Sequence, residues 1–331
     1  MFDVITFGSA TTDIFLKSDT FKKIKNKQFI TGRGLCFGLG SKVDISELTI
    51  ASGGGGTNTA ATFANQGLSV AYCGSVGKDI SGTEIINELN KYKIDTSLIV
   101  QKEEKKTNHS IILNIPKEDR TILVYRGAAE LFSNSDFQLD KLKAKWFYIA
   151  PLSGELSNFF GRLVNFAYSK GYKVAVNPGN SQLMMSQKEL AKILKKVQIL
   201  ILNQEEASIL TKISYKKDIE IFKKVDEMCP GISLITQGKK GAMVSDGKHI
   251  YKIKVPKGKT STIDSTGAGD SFGSGFVSGY IISGGDIENS LQLAMANSIA
   301  CLSKVGAKPG LLKRNDYYFK NPVTKSTIKN N

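Results

Sequence analysis

The chain has 331 residues, 41% of them apolar and 23% charged, with a formal net charge of +15; this is the composition of an ordinary soluble protein with a substantial core. No run approaches the roughly 20 apolar residues of a spanning helix, and no basic region precedes the apolar N-terminal run, so a secretory signal is not expected and a cytoplasmic location is. Four scattered cysteines without a CxxC pair, and only His109 and His249 as imidazoles, argue against a zinc site, and the cysteines read as reduced thiols.

In chain order, "DVITFGS" (3–9) predicts a short strand, and the glycine- and lysine-rich stretch 14–52 fits no sheet-and-helix pattern. "TNTAATFANQG" (57–67) predicts a helix closed by Gly67, then "SVAYCGSVG" a strand, "GTEIINELNKY" a helix and "IDTSLIV" an extended segment. "HSIILNI" and "RTILVYR" predict a hairpin around the polar turn "PKED". After residue 145 the strands "KWFYIA", "YKVAVNP", "VQILILN" and "ISLITQG" alternate with helices over 155–169, 187–196 and 204–211. Nearly continuous apolar strands between helices indicate an α/β fold: a three-layer αβα sandwich on a mostly parallel, Rossmann-like sheet. Segments 14–52 and about 98–126 are expected to form a small β lid on a single domain over 1–320, with 321–331 a loosely ordered tail.

In such sheets ligands bind beyond the carboxyl ends of the strands. "NP" (177–178), "NQEE" (203–206), "TQG" (236–238) and "DSTGAGD" (264–270) all fall there. The lysines are mixed with acids and apolar residues along the chain, so the charge reads as general basicity, or as attraction for anionic substrates, and not as a nucleic-acid stripe.

"DSTGAGDSFGSGF" (264–276) loads a helix start with glycine and sets Asp270 in its first turn. Unpaired N–H groups at such a start, reached closely through glycine, are ligands for phosphate. A carboxylate beside that phosphate makes sense as the acceptor of a proton from an attacking hydroxyl. The helix dipole is expected to keep Asp270 ionised at neutral pH. Alternatively, the glycines pack the helix closely on a neighbour and Asp270 is only an N-terminal charge.

That segment resembles the C-terminal signature of the ribokinase-like sugar kinases, the phosphofructokinase-B group, and "ASGGGGTNTAATFANQG" resembles their other signature. "TTD", "GSVGKDISG", "NPG", "NQEE", "TQGKKG" and "KVGAKPG" match in the same order, so the resemblance spans about residues 3–310. It implies an ATP-dependent kinase of a small sugar, ribose-type first, with nucleosides and sugar phosphates as alternative acceptors. It makes Asp270 the catalytic base and the backbone of Gly267, Ala268 and Gly269 the anion hole. Asp13, Gly54 and Asn58 are then substrate ligands, joined by Asp270 itself. Asn203 and Glu206 orient magnesium through waters, and Thr236, Gly238 and Gly241 lie along the nucleotide phosphates. Asp264, the Thr266 carbonyl and the loop at Gly306 resemble a monovalent-cation (potassium) site. A homodimer through the lid, and no nucleic-acid or membrane partner, complete the expectation. There are departures: Gly55 stands where some relatives have a lysine, Gly310 where ribokinase-type members put a serine, and segment 14–52 is long.

Other motifs fail. The "GKT" at 258–260 lacks the Walker glycine, since position 253 is Ile253, and the glycines of "GSGFVSG" lie inside a helix instead of a strand-to-helix turn. Asn108-His109-Ser110 is a glycosylation sequon without a secretory route. His109 and His249 read as surface or lid residues, and Arg126 either reaches substrate or pairs at the lid edge. Phe15, Phe21, Phe29 and Phe37 either stack on a base or form the lid's core; Arg33 and Lys42 either grip a sugar phosphate or are solvated. A non-catalytic sugar or nucleotide sensor on the same fold is the non-enzyme alternative, against which the intact base element speaks.

Overall fold

The computed structural model describes residues 1–27, 32–115, 120–256, 258 and 263–328. Phe29, the turn "PKED" at 116–119, Lys259 and Thr260 lie outside the described residues. The chain opens in β1 (Phe2–Phe7) and passes after three residues into β2 (Thr11–Lys17). A ribbon of β3 (Lys22–Lys25) and β4 (Arg33–Cys36) precedes β5 (Glu47–Gly53). Next come α1 (Gly55–Asn65), β6 (Val70–Gly77), α2 (Ile80–Lys91), β7 (Ile99–Lys102), β8 (Asn108–Asn114) and β9 (Thr121–Tyr125). Alternation follows through β10 (Ala144–Ile149), α3 (Phe160–Ser169), β11 (Lys173–Val176), α4 (Asn180–Leu183) and α5 (Gln187–Leu194). It continues in β12 (Ile199–Asn203), α6 (Gln204–Thr211), α7 (Asp218–Met228) and β13 (Ile232–Thr236). The last elements are β14 (Ala242–Ser245), β15 (His249–Ile253), α8 (Ala268–Ile282), α9 (Ile287–Leu302) and β16 (Val323–Thr327).

The central sheet has the order β16-β15-β14-β13-β12-β11-β10-β1-β6-β7. From β7 to β13 every pairing is parallel; β14, β15 and β16 extend it antiparallel. Period-2 alternation divides the strand side chains between two cores. Phe147 and Ile149 of β10 face α3, α5, α6 and α7, whereas Trp146 and Tyr148 face α1, α2, α8 and α9. Both faces are therefore covered, as a parallel sheet requires, and the three-layer α/β architecture stands as expected.

β1 is flanked by β6 on one side and β10 on the other, so chain progression reverses direction at β1. Such a reversal splays the connections apart and leaves a crevice beyond the carboxyl ends of the two strands. Over it stands a second sheet of order β5-β2-β8-β9, in which β8 and β9 form the expected hairpin.

Three boundaries differ from the sequence reading. Residues 99–102 pair with β6 at the edge of the central sheet and do not belong to the lid; the short apolar run Ile99–Val100 is half-buried against the core. The lid begins earlier, at Thr11, because β2 directly continues the path of β1. The segment 323–327, expected to be loose, is the outermost strand of the central sheet; its threonines and exposed lysine suit an edge, where one rim meets water. No helix of the described residues is long and apolar enough to cross a membrane.

Candidate active site

A cleft of about 520 Å³ opens at the strand-order reversal, between the lid and the ends of β1 and β10. It brings together Asp13, Gly54, Asn58, Thr266, Gly267 and Asp270 from three separate stretches of chain. Ser9 and Pro151, just past β1 and β10, supply the floor.

Asp270 arrives on the first turn of α8, whose cap is Gly267 in the left-handed region at φ 75°. A side chain there is strained by backbone conformation and would also meet the Ala307 Cβ at 2.4 Å, so glycine is required on two counts. A Cβ at Gly269 would meet nothing within 4 Å, leaving the amide face open to a ligand. The Ala268 N–H reaches the Ser265 carbonyl only at 3.4 Å. Deeper in α8 the glycines have the other purpose: a Cβ at Gly275 would sit 3.1 Å from the Ala294 Cα of α9, and one at Gly279 would sit 2.7 Å from the Ser290 Cα. Close packing on a neighbour therefore accounts for the later glycines of α8, whereas those at its start leave backbone accessible.

Asn58, almost fully buried in α1, donates from Nδ2 to Asp270 Oδ2 at 2.9 Å. That bond fixes the amide, and its buried Oδ1 has no partner among the described residues. A buried acceptor without a donor carries a desolvation cost that a bound hydroxyl would relieve. Asp13 on β2 accepts from the Ser110 hydroxyl of β8. Gly53 lies so close that a Cβ on it would overlap the Asp13 carboxylate.

Burial is the dominant cause that raises the Asp270 carboxyl above its ordinary value; the Asn58 bond and the Lys308 charge oppose it. Desolvation thus outweighs the favourable helix start in setting the direction of the shift. Asp13 is pushed up to about 6, again by burial first, with Ser110 and Lys308 lowering it and the charges of Asp264 and Asp270 raising it. A carboxylate whose folded pKa is raised stabilises the fold only while protonated, and that contribution is lost as pH climbs from 3.8 through about 6. Asp13→Asn is therefore expected to raise unfolding stability at pH 8 by up to about 3 kcal/mol. The gain should shrink toward zero below pH 3.8, as measured by urea denaturation across the pH range.

Lys308 was not singled out by sequence reasoning. Its side chain is 1% exposed and its Nζ donates to Ser52 Oγ at 2.6 Å, with Glu88 Oε2 at 3.7 Å. Ser52 in turn bonds Glu88. Burial lowers the lysine's pKa, while Glu88, Asp13 and Asp270 raise it. A lone lysine in a loop such as "KVGAKPG" looks like a surface charge, and only the fold brings it under the two carboxylates.

Asn203 and Glu206 do not line the cleft; they stand at the end of β12, where Asn203 pairs with Thr236 at the end of β13. They form a reciprocal cap: Glu206 N donates to Asn203 Oδ1 and Asn203 N to Glu206 Oε2, both at 2.8 Å. Burial raises the Glu206 carboxyl. No cluster of three or more His, Cys, Asp or Glu able to hold a metal exists among the described residues. One oriented, half-buried carboxylate at a helix start nevertheless fits magnesium, which keeps most of its water. Gly238, at φ 54°, opens to free space, whereas Gly241 packs against the Ile253 carbonyl, so its lack of a side chain is explained by strand packing.

Asp264 and Gly306 meet as expected, the Gly306 N–H donating to Asp264 Oδ2 at 3.0 Å. Phe15 and Phe21 are buried, and Phe21 meets Phe37 edge-on at 5.7 Å, so these rings belong to the lid's own packing. Neither Arg33 nor Lys42 lines the cleft; Arg126 does. His109 bonds Ser81 and the Thr107 carbonyl, and His249 bonds Asp246, so both have structural partners. Asn108 is buried, its Oδ1 accepting from the Ala129 N–H, which leaves no room for a glycan.

The family described as pfkB family carbohydrate kinase matches residues 3–314. A nucleoside kinase of Methanothermobacter thermautotrophicus is 28% identical over 245 residues, covering 74% of this chain and 76% of that protein. A ribokinase of Haemophilus influenzae is 27% identical over 278 residues, covering 81% of this chain and 86% of that protein. The structure of Arabidopsis thaliana ribokinase complexed with ribose and ATP shares the fold, with a TM-score of 0.76 at 21% identity over 95% of this chain and 96% of that one.

Proposed function

The chain belongs to the pfkB family of carbohydrate kinases, phosphotransferases with a hydroxyl acceptor, and from that premise we propose that it transfers the γ-phosphoryl group of ATP to a ribose-type sugar. The observation that carries this reading is the convergence of Asp13, the unpaired Asn58 Oδ1 and Asp270 in one cleft beneath the lid. Together they offer two carboxylates as acceptors for sugar hydroxyls and an amide that already holds the base in place.

In the proposed reaction Asp270 removes the proton from the acceptor hydroxyl as its oxygen attacks phosphorus. The new O–P bond forms while the bond to the leaving ADP oxygen breaks. The N–H groups of Gly267, Ala268 and Gly269 receive the charge on the transferring group. The raised Asp270 pKa strengthens the base toward the hydroxyl proton, at the cost of an acid limb in the pH profile above the ordinary carboxylate range. Asn203 and Glu206 would hold hydrated magnesium, which supplies neutralisation of phosphate charge when bound. Thr236 and Gly238 lie where donor phosphates would pass. The lid excludes water from the cleft.

A second acceptor class has its own support. Ile112, Ile122, Val124 and Tyr125 give the lid side of the cleft an apolar wall against which a nucleoside base would pack. Arg126, in the same wall, would meet a sugar phosphate. Homodimerisation through the lid is part of the same proposal, supported by the exposed Leu48, Ile50 and Leu123 on lid strands.

A coupled ATP-consumption screen across pentoses, nucleosides and sugar phosphates tests the proposal. Turnover is expected with a ribose-type sugar; preference for a nucleoside would move the acceptor to the second class. Absence of ATP consumption with every compound would instead leave a sensor.

A further inference from the structure

Arg120 precedes β9 on the lid hairpin, yet its guanidinium lies on the turn that leads into α8. Its Nη1 donates to Asp264 Oδ1 at 3.2 Å, to Ser265 Oγ at 2.8 Å and to Thr266 Oγ1 at 3.0 Å. The Asp264 side chain is 7% exposed, so this is a largely buried ion pair on its acidic side.

The same turn was expected to hold a monovalent metal ion, and its donors are already engaged. Asp264 Oδ1 also accepts from the Thr266 N–H at 3.0 Å and the Thr266 hydroxyl at 2.9 Å, and Oδ2 accepts from the Gly306 N–H. Each carboxylate oxygen has about two lone-pair sites; three of these donors crowd Oδ1 and one takes a site on Oδ2. The Thr266 carbonyl receives the Cys301 thiol at 3.6 Å. A side chain at Gly310, where ribokinase-type relatives place serine, would put its Cβ 2.2 Å from the Ala300 carbonyl oxygen. The missing hydroxyl therefore cannot be restored without moving α9. These residues do not fit a bound potassium ion.

We propose that Arg120 is a positioning residue that delivers a tethered positive charge to Asp264 when the lid is down. It takes the place of a monovalent metal and couples the lid to the geometry of the amides at 267–269. The coupling has a direct route, since Thr266, held by both Arg120 and Asp264, is followed at once by the Gly267 cap. This inference rests on residues 267–269 being the anion hole.

The test compares the native protein with Arg120→Gln and Arg120→Lys in potassium, sodium and tetramethylammonium salts at equal ionic strength. Native kcat should be the same in all three, and Arg120→Gln should lower it by about 10–100-fold. Potassium, and not tetramethylammonium, should restore part of that loss, and Arg120→Lys should retain more activity than the glutamine variant. Independently of turnover, hydrogen exchange at the amides of 264–270 should quicken in Arg120→Gln, and its melting temperature should become potassium-dependent. Marked potassium activation of the native enzyme, or a glutamine variant with native rate and native exchange, would overturn the proposal. Because the exchange and melting readouts need no turnover, they still decide it if Asp270 proves not to be the base.

Discussion

Asp270→Asn lowers kcat by about 10²–10⁴-fold, the range that a positioned proton acceptor contributes, while the acceptor KM stays within an order of magnitude. The amide is nearly isosteric, and its oxygen can keep the bond donated by Asn58 Nδ2. The cleft therefore retains its shape and loses only the group able to take a proton. Removing a carboxylate that burial disfavours should also make the variant at least as stable as the parent at neutral pH. Its residual activity should lose the acid limb that ionisation of Asp270 imposes on the native profile. Steady-state kinetics from pH 5 to 9, with thermal unfolding of the same samples, provides the check. A folded variant with near-native kcat sinks the assignment of the base.

Lys308→Met is expected to damage both stability and rate, through charge. The buried ammonium holds Ser52 and faces Glu88, Asp13 and Asp270. Taking away one member of a buried charge group leaves the others uncompensated, which typically costs about 3–5 kcal/mol. Both Asp13 and Asp270 lose a neighbour that lowers their pKa, so the acid limb of kcat/KM should move to higher pH. Adding Glu88→Gln should recover part of the stability and leave the altered pH profile in place. Urea unfolding of the single and double variants separates these effects. If Lys308→Met has native stability and an unmoved acid limb, the ammonium is not balancing the two carboxylates.

The sequence showed the sandwich clearly because its strands are buried on both faces and so carry long apolar runs. β12 and β13 were legible for that reason, and the helix expected over 204–211 is found at Gln204–Thr211. β14 and β15 were hidden in a stretch that looked like a lysine run. Their buried Met243, Val244, Ile250, Tyr251 and Ile253 alternate with charged and polar neighbours or sit between them. The helix α9 went unread because it is buried around most of its circumference, which erases the amphipathic period. Asp13, Asn58 and Asp270 were accessible through motifs that run in order along the chain. Lys308 and Arg120 were not, because each acts across the fold: 256 residues separate Lys308 from Ser52, and 144 separate Arg120 from Asp264. No local pattern encodes such a meeting.

The placement of β1 between β6 and β10 also has a bearing on biosynthesis. The strand at Phe2–Phe7 is made well before its neighbour at Ala144–Ile149, which follows about 140 residues later. At roughly 5–20 residues per second, that is an interval of about 7–30 s. Throughout it, one rim of a strand that ends up inside the sheet stays without its hydrogen-bonding neighbour, so the nascent N-terminal half has a use for a chaperone's cover.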